Sequence, residues 1–180
     1  MTSPSSKAEP APIPRVSSGN AQLDAILCGG FPANSINIVM GEPGSGKTIL
    51  AERLIFANAK LKADPRPILY LTTLSEPLEK VVRYLQQFSF YDEDILMSGA
   101  IRYESIAVDL EERGVAALVP RLKEFITTAS PKIIVIDSFK AVHDLSTSVP
   151  EMRRILYEVS GLLSAYDTTA FFLGEYSEDQ

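Results

Sequence analysis

Residues 41–48 read Gly41-Glu-Pro-Gly-Ser-Gly-Lys-Thr48. This meets the Gly-x-x-x-x-Gly-Lys-Ser/Thr phosphate-binding pattern at every fixed position. Each fixed residue has a task on a nucleoside triphosphate. Gly41, Gly44 and Gly46 let the backbone turn so that successive N–H groups point inward at phosphate oxygens. Lys47 supplies a point charge between the β- and γ-phosphates, which makes it both a binding and a catalytic candidate, and Thr48 offers a hydroxyl to Mg²⁺. The candidate nucleotide-binding set runs through Gly41, Glu42, Pro43 and Gly44, then Ser45, Gly46, Lys47, Thr48 and Ile49, with the Glu42 side chain expected to face solvent.

The flanking segments supply the context the pattern needs. Ser35 to Met40 alternates and is rich in β-formers, which predicts a strand. From Lys47 to about Lys62, apolar residues at Ile49, Leu50, Leu54, Ile55 and Ala57 follow helical spacing. The helix N-terminus adds its dipole and free N–H groups to the anion site.

Working outward, the chain alternates strand and helix. Residues 1–14 are rich in Pro, Ser and Ala and are expected to form a disordered tail, with an ordered domain over 15–180. A short helix is expected over Asn20–Leu27, stopped by Gly29-Gly30, and Phe31–Asn34 is expected to turn into the first strand. Further strands are expected at 68–72, 100–103, 133–137 and 168–173. Helices are expected over 75–88, 109–128, 139–145 and 149–166, with residues 90–98 as an acidic, aromatic connection. This alternation predicts an α/β fold: a mostly parallel central sheet covered by helices on both faces, the three-layer P-loop arrangement.

Asp137 closes the apolar run Ile133-Ile-Val-Ile136. Ligands gather at the carboxyl ends of strands in open parallel sheets, and an acid there holds the Mg²⁺ shell of phosphate-loop proteins, so Asp137 is the second metal candidate beside Thr48. Ser138 either reaches a γ-phosphate or caps the next helix. The lone histidine, His143, has no partner motif and is read as structural. The lone cysteine, Cys28, is read as a small buried hydrophobe, and Tyr70 and Tyr84 as packing residues.

Composition bounds the function. The 180 residues carry a net charge of −6, which disfavours nucleic-acid binding, since phosphate neutralisation calls for a basic face. One cysteine excludes an internal disulfide and any multi-cysteine zinc site. No apolar run is long enough to span a membrane and no signal pattern opens the chain, so a cytoplasmic location is expected.

Several stretches together resemble the KaiC branch of the RecA-like ATPases. They are Ser18-Gly19, Leu23-Asp-Ala-Ile-Leu27, Gly29-Gly-Phe-Pro32, the loop Gly41–Thr48, Ile134-Val-Ile-Asp-Ser138 and Phe172-Leu-Gly-Glu-Tyr176. The resemblance implies a RecA-like sheet, ATP with Mg²⁺, slow hydrolysis, self-association that often takes the form of a hexameric ring, and a signalling role with a protein partner. Two departures stand out. The family's paired glutamates after the second strand, one of which activates water, have no counterpart in Leu71-Thr-Thr-Leu-Ser-Glu-Pro77. Glu76 is the candidate base there, or else an acid favoured at a helix N-terminus; Glu104 is a weaker substitute. The family domain also continues past the point reached by Gln180 with further strands and a basic segment, so a truncated domain is expected, and Arg153 and Arg154 read as a solvated helix face. Three activities follow as expectations: an ATPase, a nucleotide-gated interaction module with little turnover, and a RadA-like DNA-dependent ATPase.

Overall fold

The computed structural model describes residues 13–61, 63–73, 78–146 and 148–175. A two-residue strand β1 (Arg15–Val16) pairs antiparallel with β2 (Phe31–Pro32). Between them lies α1 (Ala21–Ile26), capped by the Asn20 side chain, which accepts from the N–H groups of Gln22 and Leu23. Then follow β3 (Ile36–Gly41), α2 (Lys47–Ala59), β4 (Ile68–Thr72), α3 (Leu78–Leu85), α4 (Glu93–Met97) and β5 (Ile101–Ser105). The chain continues through α5 (Ala107–Arg113), a 3₁₀ turn (Gly114–Ala117), α6 (Leu118–Ala129), β6 (Ile133–Asp137), α7 (Phe139–Asp144), α8 (Val149–Ala165) and β7 (Thr169–Glu175).

Strands β3 to β7 form one sheet in the order β3-β7-β6-β4-β5, every pair parallel. The alternation of the pleat builds two apolar layers. Leu69, Leu71, Ile134, Ile136, Ala170 and Phe172 face α5, α6 and α8 through residues such as Leu110, Leu122 and Val159. Ile68, Tyr70, Ile133, Val135, Phe171 and Leu173 face α2 through Leu54, Ile55 and Phe56. The sheet is thus covered on both faces, which is why its central strands are apolar without a polar side. The fold class is the expected three-layer α/β arrangement.

Two features of the topology place the site. The register sets Thr72 beside Asp137 and Asp137 beside Leu173, so the carboxyl ends of the three central strands are level. The chain leaves β4 toward β5 on one side and leaves β6 toward β7 on the other. The strand order therefore reverses between β4 and β6, the place where open α/β sheets hold ligands.

The structure corrects several expectations. The helix expected over 109–128 is two helices broken at Gly114, which adopts φ +66°, and Pro120 sits in the first turn of α6, where its missing N–H costs nothing. The connection at 90–98 contains α4. Cys28 is exposed rather than buried, because it lies at φ +53° in the turn that carries the chain from α1 to β2. The β1–β2 pairing was not anticipated, since each strand has only two residues and no periodicity to read. Pro14, expected in the tail, accepts a hydrogen bond at its carbonyl from the Ala33 N–H at 2.9 Å. The rest of the expected tail, residues 1–12, lies outside the described residues, as do residues 75–77 of the helix expected over 75–88.

Gly30 shows why the lead-in takes a Gly-Gly pair. It has φ +116°, and a Cβ there would stand 2.3 Å from the Val16 carbonyl oxygen. Gly30→Ala is expected to cost about 2–3 kcal/mol of stability by chemical denaturation, since both the conformation and the space forbid the methyl group. An unchanged unfolding midpoint would contradict the close approach of Gly30 to the Val16 carbonyl.

Candidate functional site

Helix α2 begins directly out of the loop. Gly46 is its N-cap in the left-handed region at φ +88°, and Gly44 lies at φ +77°, so the two glycines turn the chain into the helix. Gly41 is buried, and a Cβ there would stand 2.7 Å from Ser45 Oγ. Glu42, Pro43, Gly44 and Ser45 are exposed around the turn, and Ile49 is half-buried in the first turn of α2. The ammonium of Lys47 folds back and donates to the carbonyls of Gly41 at 3.0 Å and Glu42 at 2.8 Å. It sits over the loop, where an anion held by the backbone N–H groups would meet it.

The sheet brings Asp137 to this loop. Thr48 Oγ1 donates to Asp137 Oδ2 at 2.8 Å, across a separation of 89 residues. The Tyr70 hydroxyl donates to the same carboxylate oxygen at 2.6 Å. Thr73, just past β4, is tied to the far side of the Asp137–Ser138 link: its N–H donates to the Asp137 carbonyl at 2.9 Å and its hydroxyl accepts from the Ser138 N–H at 3.1 Å. Ser138 occupies the N-cap position of α7, yet its side chain makes no capping bond, and it lines the cavity beside Asp137. Lys140 and Glu175 pair at 3.7 Å between α7 and the end of β7.

A cavity of about 490 Å³ opens at the carboxyl ends of the central strands, lined by Thr48, Glu52, Tyr70, Tyr103, Asp137 and Ser138 among others. Glu52 and Tyr103 were not anticipated as site residues, and Tyr70 was read as packing alone. Glu52 follows Thr48 by one helical turn on the same face of α2. It is 1% exposed, and the Tyr103 hydroxyl donates to its Oε2 at 2.6 Å. The rings of Tyr103 and Tyr70 lie 5.2 Å apart, and their hydroxyls reach the Glu52 and Asp137 carboxylates respectively. Burial pushes the Glu52 carboxyl up to about 8, with repulsion from Asp137 adding to it and the hydrogen bond from Tyr103 opposing it. Burial raises both tyrosines as well, which keeps their hydroxyls as donors. The spacing Thr48–Glu52 was the available signal. An acid beside Arg53 in an apolar helix reads first as a solvated position.

Other candidates fall elsewhere. Glu104 is exposed at the end of β5 and lines the same cavity. Glu76 lies outside the described residues. His143 is exposed on α7 beside Asp144, and Arg153 and Arg154 are exposed on α8. A larger cavity, about 560 Å³, lies around Asp109, Arg113 and Arg121 at the α5–α6 junction, away from every candidate residue.

This geometry can be set against known proteins. The family model described as "ATPase: KaiC" matches residues 16–180. The chain belongs to this family. Among curated proteins, this KaiC-family chain is 27% identical to a UPF0273 protein of Thermotoga maritima, over 92% of this chain and 71% of that one. It is 24% identical to the circadian clock oscillator protein KaiC of a Picosynechococcus strain, over 85% of this chain and 30% of that one. Among solved structures, a KaiC-like protein from Pyrococcus horikoshii OT3 superposes with a TM-score of 0.72 at 22% identity, covering 92% of this chain and 72% of that one. The family gives this chain a nucleotide-binding RecA-type domain.

The elevated Glu52 carboxyl makes stability depend on pH. In the unfolded chain it loses its proton near the ordinary 4.5, and in the fold near 8. Between these values the folded state binds more protons, so this group's contribution to stability falls as pH rises through the window and levels off above it. Glu52→Gln removes the dependence while keeping an acceptor for Tyr103. The melting temperature of the variant relative to wild type is expected to climb from pH 5 to pH 8. A difference that stays flat across that range would contradict the buried, proton-holding carboxyl.

Proposed function

We propose that this KaiC-family domain binds ATP with Mg²⁺ and hydrolyses it slowly, within a regulatory or signalling assembly of like subunits. The observation that carries the proposal is the 2.8 Å contact between Thr48 and Asp137 at the mouth of a loop with Lys47 poised over it. A hydroxyl and a carboxylate are hard oxygen donors, and they suit magnesium. Among the described residues no group of three or more His, Cys, Asp or Glu side chains could cage a metal ion. That also suits magnesium, which keeps waters and phosphate oxygens and uses one or two protein ligands. Thr48 and Asp137 would hold the ion, which would offset charge on the β- and γ-phosphates.

The chain's own residues do the rest. The N–H groups from Gly44 to Thr48 hold the phosphates at the head of α2, and Lys47 leaves the Gly41 and Glu42 carbonyls to reach them. Ser138 and Thr73 border the γ-phosphate side. The reaction is in-line attack of water on the γ-phosphorus, with Glu76 as the base suggested by sequence position.

A second reading has its own support: the sequence from Leu71 to Pro77 contains one acid rather than a pair. In that reading ATP stabilises one assembly state and turns over little. A DNA-dependent activity has less support. The chain is 23% identical to the DNA repair protein RadA of Helicobacter pylori over 34% of that protein, while its net charge of −6 opposes phosphate-backbone binding.

Lys47→Ala is expected to weaken ATP binding about 100-fold or more in a fluorescent-nucleotide titration, because it removes a charge-assisted contact to the phosphates. ATP affinity equal to wild type would overturn the site. Phosphate release measured beside it separates the two readings: steady turnover supports the ATPase, and tight binding without release supports the gated module.

A further inference from the structure

Glu52 is a carboxylate that the reading above leaves unused. It stands in the cavity that contains Thr48, Asp137 and Ser138, fixed by its own helix and by Tyr103. Helix α2 is the element that would carry the phosphates at its N-terminus, so Glu52 is locked to the γ-phosphate position by one turn of rigid backbone. A buried acid in a core is ordinarily anchored by a basic partner. The hydrogen bond given to the Glu52 side chain comes instead from a tyrosine hydroxyl, which orients a carboxylate without neutralising it. Of the other acids lining the cavity, Asp137 is the metal candidate, Glu175 pairs with Lys140 at 3.7 Å, and Glu104 is exposed, where solvent leaves it free to turn away.

We infer that Glu52 is the proton acceptor for the water that attacks ATP, in the role that the missing glutamate pair leaves open, and that Tyr103 is its positioning residue. The inference rests on the proposed ATP–Mg²⁺ reading of the site. Water enters the cavity between Glu52, Thr72 and Ser138. Its oxygen forms a bond to the γ-phosphorus, and the bond from that phosphorus to the β–γ bridging oxygen breaks with the electron pair staying on ADP. The water proton passes to the ionised form of Glu52, a minority below about pH 8, so release is expected to quicken as pH climbs toward that value, and the carboxyl returns the proton to solvent after phosphate leaves. Tyr103 holds one carboxylate oxygen, Oε2, and leaves the second to take the proton. Glu52 then takes the task that sequence position offers to Glu76.

The test uses the full chain, with single-turnover phosphate release, a fluorescent-nucleotide titration with Mg²⁺ and thermal melting on each variant. Glu52→Gln keeps the volume and the acceptor for Tyr103 but does not take up a proton. It is expected to slow release about 100-fold while the nucleotide Kd stays within about threefold of wild type, as removal of a general base requires. Release by a folded Glu52→Gln variant at the wild-type rate overturns the inference, as does a loss of rate confined to Glu76→Gln. If Glu52→Gln fails to fold, Tyr103→Phe decides: loss of the orienting hydroxyl is expected to slow release about 10-fold at unchanged Kd, and an unchanged rate overturns the inference. Wild type that binds Mg²⁺–ATP and releases no phosphate contradicts Glu52 as base and leaves the nucleotide site standing. Wild type that binds no nucleotide overturns both.

Discussion

The hydroxyl of Thr48 meets the carboxylate of Asp137 at 2.8 Å, and the rest of the site is arranged around that contact. It exists because all five strands of the sheet run the same way, so loops leaving β3, β4 and β6 emerge at one edge. An antiparallel neighbour would send one of them to the opposite end. The constraint explains the composition of the strands. A parallel sheet needs helices on both faces, which leaves Ile133 to Ile136 fully buried and places the first ionisable side chain of β6 at its last residue.

The same constraint governs the electrostatics. Asp137 accepts from Thr48 and Tyr70 on one oxygen, so its charge is stabilised by neutral donors rather than by a cation. A second carboxyl, Glu52, lines the same cavity, is held by Tyr103, and keeps its proton to about pH 8 because burial and the Asp137 charge both oppose ionisation. Environments this different suit the two acids to the separate tasks proposed for them, Asp137 to a metal ion and the ionised form of Glu52 to a proton. The Lys47 ammonium stays on loop carbonyls, available to a phosphate at the cost of two backbone hydrogen bonds.

Much of this was legible in the sequence, for identifiable reasons. The loop from Gly41 to Thr48 is a local device whose every fixed residue has a steric or electrostatic cause, and β3 and α2 on either side have clear periodicity. Asp137 could be read because an acid closing an apolar strand marks a carboxyl end. The Glu52–Tyr103 pair could not be read, because it joins residues 51 apart and depends on the order in which β4, β5 and β6 lie. Glu52 also faces into a helix that is buried around most of its circumference, where an acid is unexpected. Gly114 and Pro120 were visible signs of a broken helix, outweighed by the apolar spacing around them. Cys28 was misread because a turn at positive φ puts a small apolar side chain into solvent, which hydrophobicity alone does not reveal.

The loop and Asp137 are proposed to form one Mg²⁺–nucleotide site. A crystal structure grown with Mg²⁺ and a non-hydrolysable ATP analogue tests it most directly. The expected result is phosphates over the N–H groups of Gly44 to Thr48, Lys47 Nζ moved from the Gly41 and Glu42 carbonyls onto them, and the ion between the Thr48 hydroxyl and the Asp137 side chain. Nucleotide bound elsewhere, or phosphates in the loop with Lys47 unmoved and the ion remote from Asp137, would contradict it.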